Sequence, residues 1–172
     1  EKAQLAIFPE LCLSSYPPLD LLDRPDFIEA NAKALEQLQE QIKQIPHVPE
    51  TIVLGSIMKN PSPKGRAIQN AAVVLYKGKL VHTQPKRLLP TYDVFDEARY
   101  FQPGQESLLW DSPYGKIGFS VCEDAWFEDP HGGRHLYQED PAASLKGSDF
   151  VINVSSSPFE LNKRKRRQQL LS

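Results

Sequence analysis

Along the chain, short apolar runs alternate with polar stretches that carry prolines. Residues 5–8 form an apolar run closed by Pro9, which predicts a buried strand. In residues 26–45, Ile28, Leu35, Leu38, Ile42 and Ile45 recur at spacings of three, four and seven. That spacing predicts a helix with one apolar stripe, its glutamines and charges facing water. Asp26 with Glu29 suits a variant capping box at its start, and Pro46 and Pro49 end it. Residues 51–58 predict a second strand through Ile52-Val53-Leu54. Residues 70–76, the turn Lys77-Gly78 and residues 79–83 read as a β-hairpin, so the sheet is mixed rather than purely parallel. Residues 110–114 lead into a strand that starts at Ile117 and ends on Cys122. Residues 141–146 predict a short helix stopped by Gly147, and residues 149–154 another buried strand. This succession of strands with two helices among them means a layered α/β or α+β domain.

The polar stretches carry the candidate chemistry. Residues 84–105 are a long connection of low hydrophobicity, and a connection this long in a compact domain is usually functional. Within it Lys86 is fenced by Pro85 and Leu88-Leu89-Pro90. Taken alone it is either an exposed surface lysine or a lid over something anionic. Glu10 stands at a strand end beside Pro9, and reads as a solvated loop acid or as a functional one. Ile117-Gly118-Phe119-Ser120-Val121-Cys122-Glu123-Asp124-Ala125-Trp126 is the stretch around which the rest is organised. A strand ending on a nucleophile-type residue holds a reactive atom at the rim of a sheet. A free cysteine is as often a small buried hydrophobe, so its partners must decide. His131 and His135 are four apart, but Gly132 and Gly133 between them argue against a helical metal site, and no metal is expected.

Composition narrows the picture further. With 172 residues, 40% of them hydrophobic, the chain can form one globular domain with a real core. The net charge of -2 gives no global pull toward nucleic acid or membrane. The basic run 163–167 has no interleaved aromatic residue and reads as a solvated helix face. No apolar run approaches the length of a transmembrane helix, and no signal peptide is visible. Two cysteines, Cys12 and Cys122, make no disulfide framework and suit a reducing cytoplasm. The chain opens on Glu1 straight into a strand and closes inside a charged helical segment, so it is expected to be a piece of a larger domain.

Three segments in order carry a resemblance. They are Phe8-Pro9-Glu10-Leu11, then Pro85-Lys86-Arg87-Leu88-Leu89-Pro90-Thr91-Tyr92 with Phe95, Glu97 and Arg99, then Val121-Cys122-Glu123-Asp124. Together they resemble the nitrilase (carbon–nitrogen hydrolase) superfamily. Ser15-Tyr16-Pro17-Pro18-Leu19-Asp20-Leu21-Leu22 with Arg24-Pro25-Asp26-Phe27, the run Cys122 to Trp126, and Asn153-Val154-Ser155-Ser156-Ser157-Pro158 look like the glutaminase domain of the glutamine-dependent NAD(+) synthetases. That branch usually shows Thr-Gly-Tyr-Pro-Pro where this chain has Ser14-Ser15-Tyr16.

The resemblance implies an α/β fold, a four-layer α-β-β-α sandwich that this chain would leave incomplete at both ends. Residues 1–172 would be a partial glutaminase domain, with an ammonia-receiving synthetase domain lying C-terminal to it. It implies Cys122 as nucleophile, Glu10 as general base and Lys86 as the positive partner. The physical logic agrees: a nearby ammonium lowers a thiol's pKa, and a carboxylate in reach takes its proton. The backbone N–H of Glu123 would join Lys86 at the oxyanion, and Glu97 would buttress the lysine. Tyr92, Ser157 and Lys163 would hold the amino-acid end of glutamine, with Lys163 standing where arginine is also usual. The domain would need no cofactor, ATP and Mg belonging to the synthetase domain. A homo-oligomer is expected, with no nucleic-acid or membrane partner. Two other readings stay open: a stand-alone amidase, nitrilase or carbamoylase, and a non-catalytic structural domain.

Overall fold

A computed structural model describes residues 3–128, 136–161 and 163–170. The chain order is β1 (Leu5–Ile7), α1 (Pro25–Ile42), β2 (Thr51–Lys59), β3 (Ile68–Tyr76), β4 (Lys79–Pro85), α2 (Glu97–Tyr100), β5 (Trp110–Ser112), β6 (Gly115–Val121), β7 (Phe150–Val154) and α3 (Lys163–Leu170). One sheet runs β1-β2-β3-β4 and a second runs β5-β6-β7. In the first, β1 is parallel to β2 while β2, β3 and β4 are antiparallel, the mixed sheet that the hairpin predicts. In the second, β6 is antiparallel to β5 and parallel to β7.

The sheets face one another because β2 and β3 are apolar on both sides. Val53, Ala72 and Val74 point inward against Ile117, Phe119, Val121, Ile152 and Val154. The alternate residues Ile52, Leu54, Val73 and Leu75 point outward and are covered by Leu35 and Ile42 of α1. A strand buried on both faces loses the in/out alternation and reads as a continuous apolar run. The layers are thus helix, sheet, sheet. The outer face of the second sheet carries the 3₁₀ turn Pro141–Leu145, whose Leu145 packs on Gly118.

Several boundaries differ from those predicted. The first helix ends at Ile42, not at residue 45. The N–H groups of Gln44 and Ile45 both turn back to the Gln41 carbonyl, and Ile45 is 54% exposed. The capping box does not form. Arg24 is the N-cap, Pro25 occupies the first turn where it gives up no hydrogen bond, and Asp26 pairs with Arg24 at 2.6 Å. The short helix at 141–146 is a 3₁₀ turn, capped by Asp140 and ended by Gly147 at φ +89. Strand β4 runs on to Pro85, so it delivers Lys86 directly from a sheet. The long connection after it contains α2, a single turn that the sequence pattern does not reveal. The histidine pair at 131 and 135 lies outside the described residues.

Candidate active site

Three strand ends meet at one place. Pro9 and Glu10 leave β1 and cross β2 at Gly55, whose N–H donates to the Pro9 carbonyl at 3.1 Å. A Cβ on Gly55 would collide with Leu11 N and the Glu10 Cα, so only glycine allows this close approach. Lys86 follows β4; its N–H donates to Asn70 O on β3, and its carbonyl accepts from Gly104, both at 2.8 Å. Cys122 directly follows β6 with φ 45, in the left-handed region that a side chain adopts at a cost. The 3₁₀ turn Cys122–Ala125 follows, so the chain reverses on the cysteine.

Glu10 and Lys86 are buried, 1% and 0% exposed, which rules out the solvated-acid and surface-lysine readings. The Lys86 ammonium donates to Glu10 Oε1 at 2.8 Å and to Glu97 Oε1 at 2.7 Å. Glu97 sits on α2, so this unforeseen turn is what brings the second carboxylate in. Asn70 Nδ2 donates to the same Glu10 oxygen at 2.8 Å, and Ser156 N–H donates to Glu10 Oε2 at 3.1 Å. The Ser156 hydroxyl also donates to the Glu10 carbonyl at 3.0 Å. The carboxylate is therefore fixed from both oxygens. Tyr16 donates its hydroxyl to Glu97 Oε1 at 2.9 Å.

Burial opposes the charge on Lys86, but Glu10 and Glu97 keep its pKa well above the usual lysine value. Desolvation raises Glu97, with Lys86 opposing. The Cys122 thiol departs from the sequence expectation. Burial, and then Glu10, push it up to about 12, while Lys86 and a hydrogen bond from Ser155 pull the other way without prevailing. One ammonium shared between two carboxylates does not act on sulfur as a free cation would. Burial thus favours the neutral thiol at Cys122.

A cavity of about 250 Å³ opens onto Cys122. Tyr92, Glu123, Ser157 and Lys163, all singled out in the sequence, line it. Their contacts differ from those expected. Tyr92 donates to both Glu123 oxygens, at 2.9 and 3.0 Å, and Tyr137 donates to Glu123 Oε1 at 2.9 Å. The Glu123 side chain thus organises two phenols, a task distinct from that expected of its backbone N–H. Ser157 Oγ accepts from Arg167 at 2.8 Å. Lys163 donates to Pro158 O at 3.0 Å and lies 5.3 Å from the centre of the Trp126 ring. Arg166 also lines the cavity, 5.9 Å from that ring. By composition the basic run 163–167 is a solvated face, with Lys163 alone assigned to the site by resemblance; Arg166 of the same run also faces the site.

Sequence reasoning missed Asn70, Ser156, Tyr137 and Asp124 as parts of this site. Asn70 had a signal, a polar residue within the apolar run of β3. For Tyr137 nothing in the local pattern points to Glu123.

Residues 1–172 match the carbon-nitrogen hydrolase family. The chain is 36% identical to the glutamine-dependent NAD(+) synthetase of Synechocystis sp., an alignment covering 99% of this chain and 31% of that protein. It is 33% identical to the enzyme of the same name from Aquifex aeolicus, covering 99% of this chain and 27% of that protein. The chain thus spans about a third or less of the curated relatives it matches. Among solved structures, the glutamine-dependent NAD+ synthetase from Acinetobacter baumannii in complex with ADP superimposes with a TM-score of 0.78 at 32% identity, over 98% of this chain and 29% of that one. An amidase from Nesterenkonia sp. shares the fold, with a TM-score of 0.71 at 17% identity over 94% of this chain and 55% of that one. A match that runs the length of the sequence, on a fold shared with these enzymes, makes this chain a member of the carbon-nitrogen hydrolase family.

Proposed function

We propose that this chain is the glutamine-hydrolysing part of a glutamine-dependent NAD(+) synthetase. The observation that carries the reading is the buried Lys86 ammonium joining Glu10 to Glu97 in the same cluster as Cys122. The names of the two curated relatives support glutamine as the amide donor.

Glu10 accepts the thiol proton as Cys122 Sγ bonds to the side-chain amide carbon of glutamine. Burial favours the neutral thiol, so a base is needed to take this proton. The carbonyl oxygen becomes an oxyanion. An ammonium has three N–H donors; two of Lys86's are held by carboxylates, and the third serves the oxyanion together with the N–H of Glu123. Glu10 then passes its proton to the amide nitrogen. The C–N bond breaks, ammonia leaves and a thioester remains. Glu10 next takes a proton from water as the water oxygen attacks the thioester carbonyl. The C–S bond breaks, the sulfur regains a proton, and glutamate is released.

Tyr92, Ser157 and Lys163 hold the amino-acid end of the substrate, with Arg166 adding positive charge at the same wall. The ammonia passes to a synthetase domain outside this chain, which would use ATP and Mg to amidate deamido-NAD. The test is Cys122→Ala in the full-length enzyme. Glutamine-dependent NAD formation is expected to vanish while ammonia-dependent formation persists. Loss of both activities together would make Cys122 structural.

A further inference from the structure

Asp124 lies two residues beyond Cys122 and is 2% exposed. Its Oδ1 accepts the backbone N–H of Arg87 at 3.0 Å and of Leu88 at 2.8 Å. Its Oδ2 accepts the backbone N–H of Val121 at 2.9 Å. Val121 is the residue before the cysteine, and Arg87 and Leu88 are the two residues after the lysine. One side chain therefore ties the Cys122 turn to residues that lie 36 and 37 positions before Asp124 in sequence. We propose that Asp124 is a positioning residue that fixes the Lys86 segment against the Cys122 turn, and so sets the geometry of the ammonium, the thiol and Glu10. The proposal rests on the reading of Cys122 as the nucleophile.

The chemistry of the side chain explains why an acid stands there. Only an ionised carboxylate presents acceptors at both ends. An amide has one acceptor and one donor, so whichever way it turns, its NH₂ meets a backbone N–H. Keeping the charge is costly, since burial raises the Asp124 carboxyl to about 6 against the pull of the Leu88 and Val121 N–H groups, Lys86 and the Arg87 N–H. An apolar side chain of similar size would leave the Arg87, Leu88 and Val121 N–H groups without this acceptor, so the charge serves the tie between the two segments. The tie also acts where the backbone has least regular support. Residues 86–96 lie between β4 and α2 with no strand or helix of their own, and β6 stops at Val121.

The experiment uses the full-length enzyme and the variant Asp124→Asn, with circular dichroism to establish folding. Displacement of this kind costs about 10²-fold in rate, so kcat for glutamine hydrolysis is expected to fall by about that factor, with KM close to the wild-type value. Alkylation of Cys122 by iodoacetamide is expected to slow as well, because the thiol no longer faces its base. A folded Asp124→Asn protein with wild-type kcat and alkylation rate overturns the proposal. So does a rise in KM at unchanged kcat, which would give Asp124 a binding role. If the variant does not fold, amide hydrogen exchange in the wild-type protein decides: the Arg87 and Leu88 amides are expected to exchange slowly and in step with Val121, and rapid exchange at Arg87 and Leu88 overturns the tie. Alkylation also separates the two levels of inference. A folded wild-type protein whose Cys122 resists iodoacetamide at every pH removes the nucleophile, whereas normal wild-type labelling with no change in the variant removes only Asp124.

Discussion

Lys86 is the residue on which the site depends most. It is a buried cation with two carboxylates within 2.8 Å, and removing one partner from such a group leaves the others uncompensated. Lys86→Met keeps the length of the side chain and removes the charge. It is expected to abolish glutamine hydrolysis and to cost about 3–5 kcal/mol of stability at neutral pH, the usual penalty for breaking a buried pair. The loss should shrink on acidification. Glu97 already has a raised carboxyl because of burial, and without Lys86 it rises further. The native variant then holds a proton that the unfolded chain has given up. Its stability therefore increases as pH falls toward the ordinary carboxylate range, and decreases as pH rises through the native carboxyl's own pKa. Urea unfolding of wild type and variant across pH 4–8 checks this; a penalty that does not change with pH contradicts it. Part of this residue-level picture was legible in the sequence. Glu10 and Cys122 stood at the ends of apolar runs, where a sheet delivers side chains to its rim, while Lys86 stood in the long polar connection and was marked by the resemblance. Their burial was not legible, because it depends on contacts from Asn70 and Ser156, which lie 60 and 146 residues from Glu10. The direction of the thiol's shift was missed for a related reason. It depends first on how deeply the fold buries the sulfur and then on the carboxylates around it, and spacing along a chain shows neither.

At the scale of elements, strand ends set the geometry and small structural details aim them. The crossing of Glu10 over Gly55 is one such detail. Gly55→Ala would drive a methyl group into the backbone at Glu10 and Leu11. Leu11 already sits at φ 48, so this backbone has little freedom to yield. The variant is expected to lose about 1–3 kcal/mol, as overpacked positions do, and to lose kcat disproportionately because Glu10 moves. Denaturant unfolding and glutaminase kinetics on the same preparation check both; a normal kcat in this variant would mean that Glu10 is not held by the crossing. The strands themselves were readable because β2 and β3 are apolar on both faces, and the hairpin because Lys77-Gly78 marks its turn. Helix α2 was not, since one turn of four residues has no period to detect. It exists because tertiary contacts hold Glu97 and Tyr100 in the interior.

At the scale of the whole molecule, the two sheets pack face to face and gather Glu10, Lys86 and Cys122 at one rim. Among the described residues, the outer edges of β1 and β7 have no strand partner. Ile7 and Val151 on those strands are 51% and 48% exposed. Open, apolar edges invite pairing with other chains, which favours the full-length protein for any functional test. No helix of the described residues is long and apolar enough to cross a membrane. The chain also covers only about a third or less of its curated relatives, so the glutaminase reading meets its strongest test in the complete enzyme. That test is mass spectrometry after incubation with a glutamine-like diazo-ketone electrophile. The account predicts one adduct, on Cys122, that excess glutamine prevents. A folded protein that forms no adduct, or one whose labelling glutamine does not prevent, would contradict it.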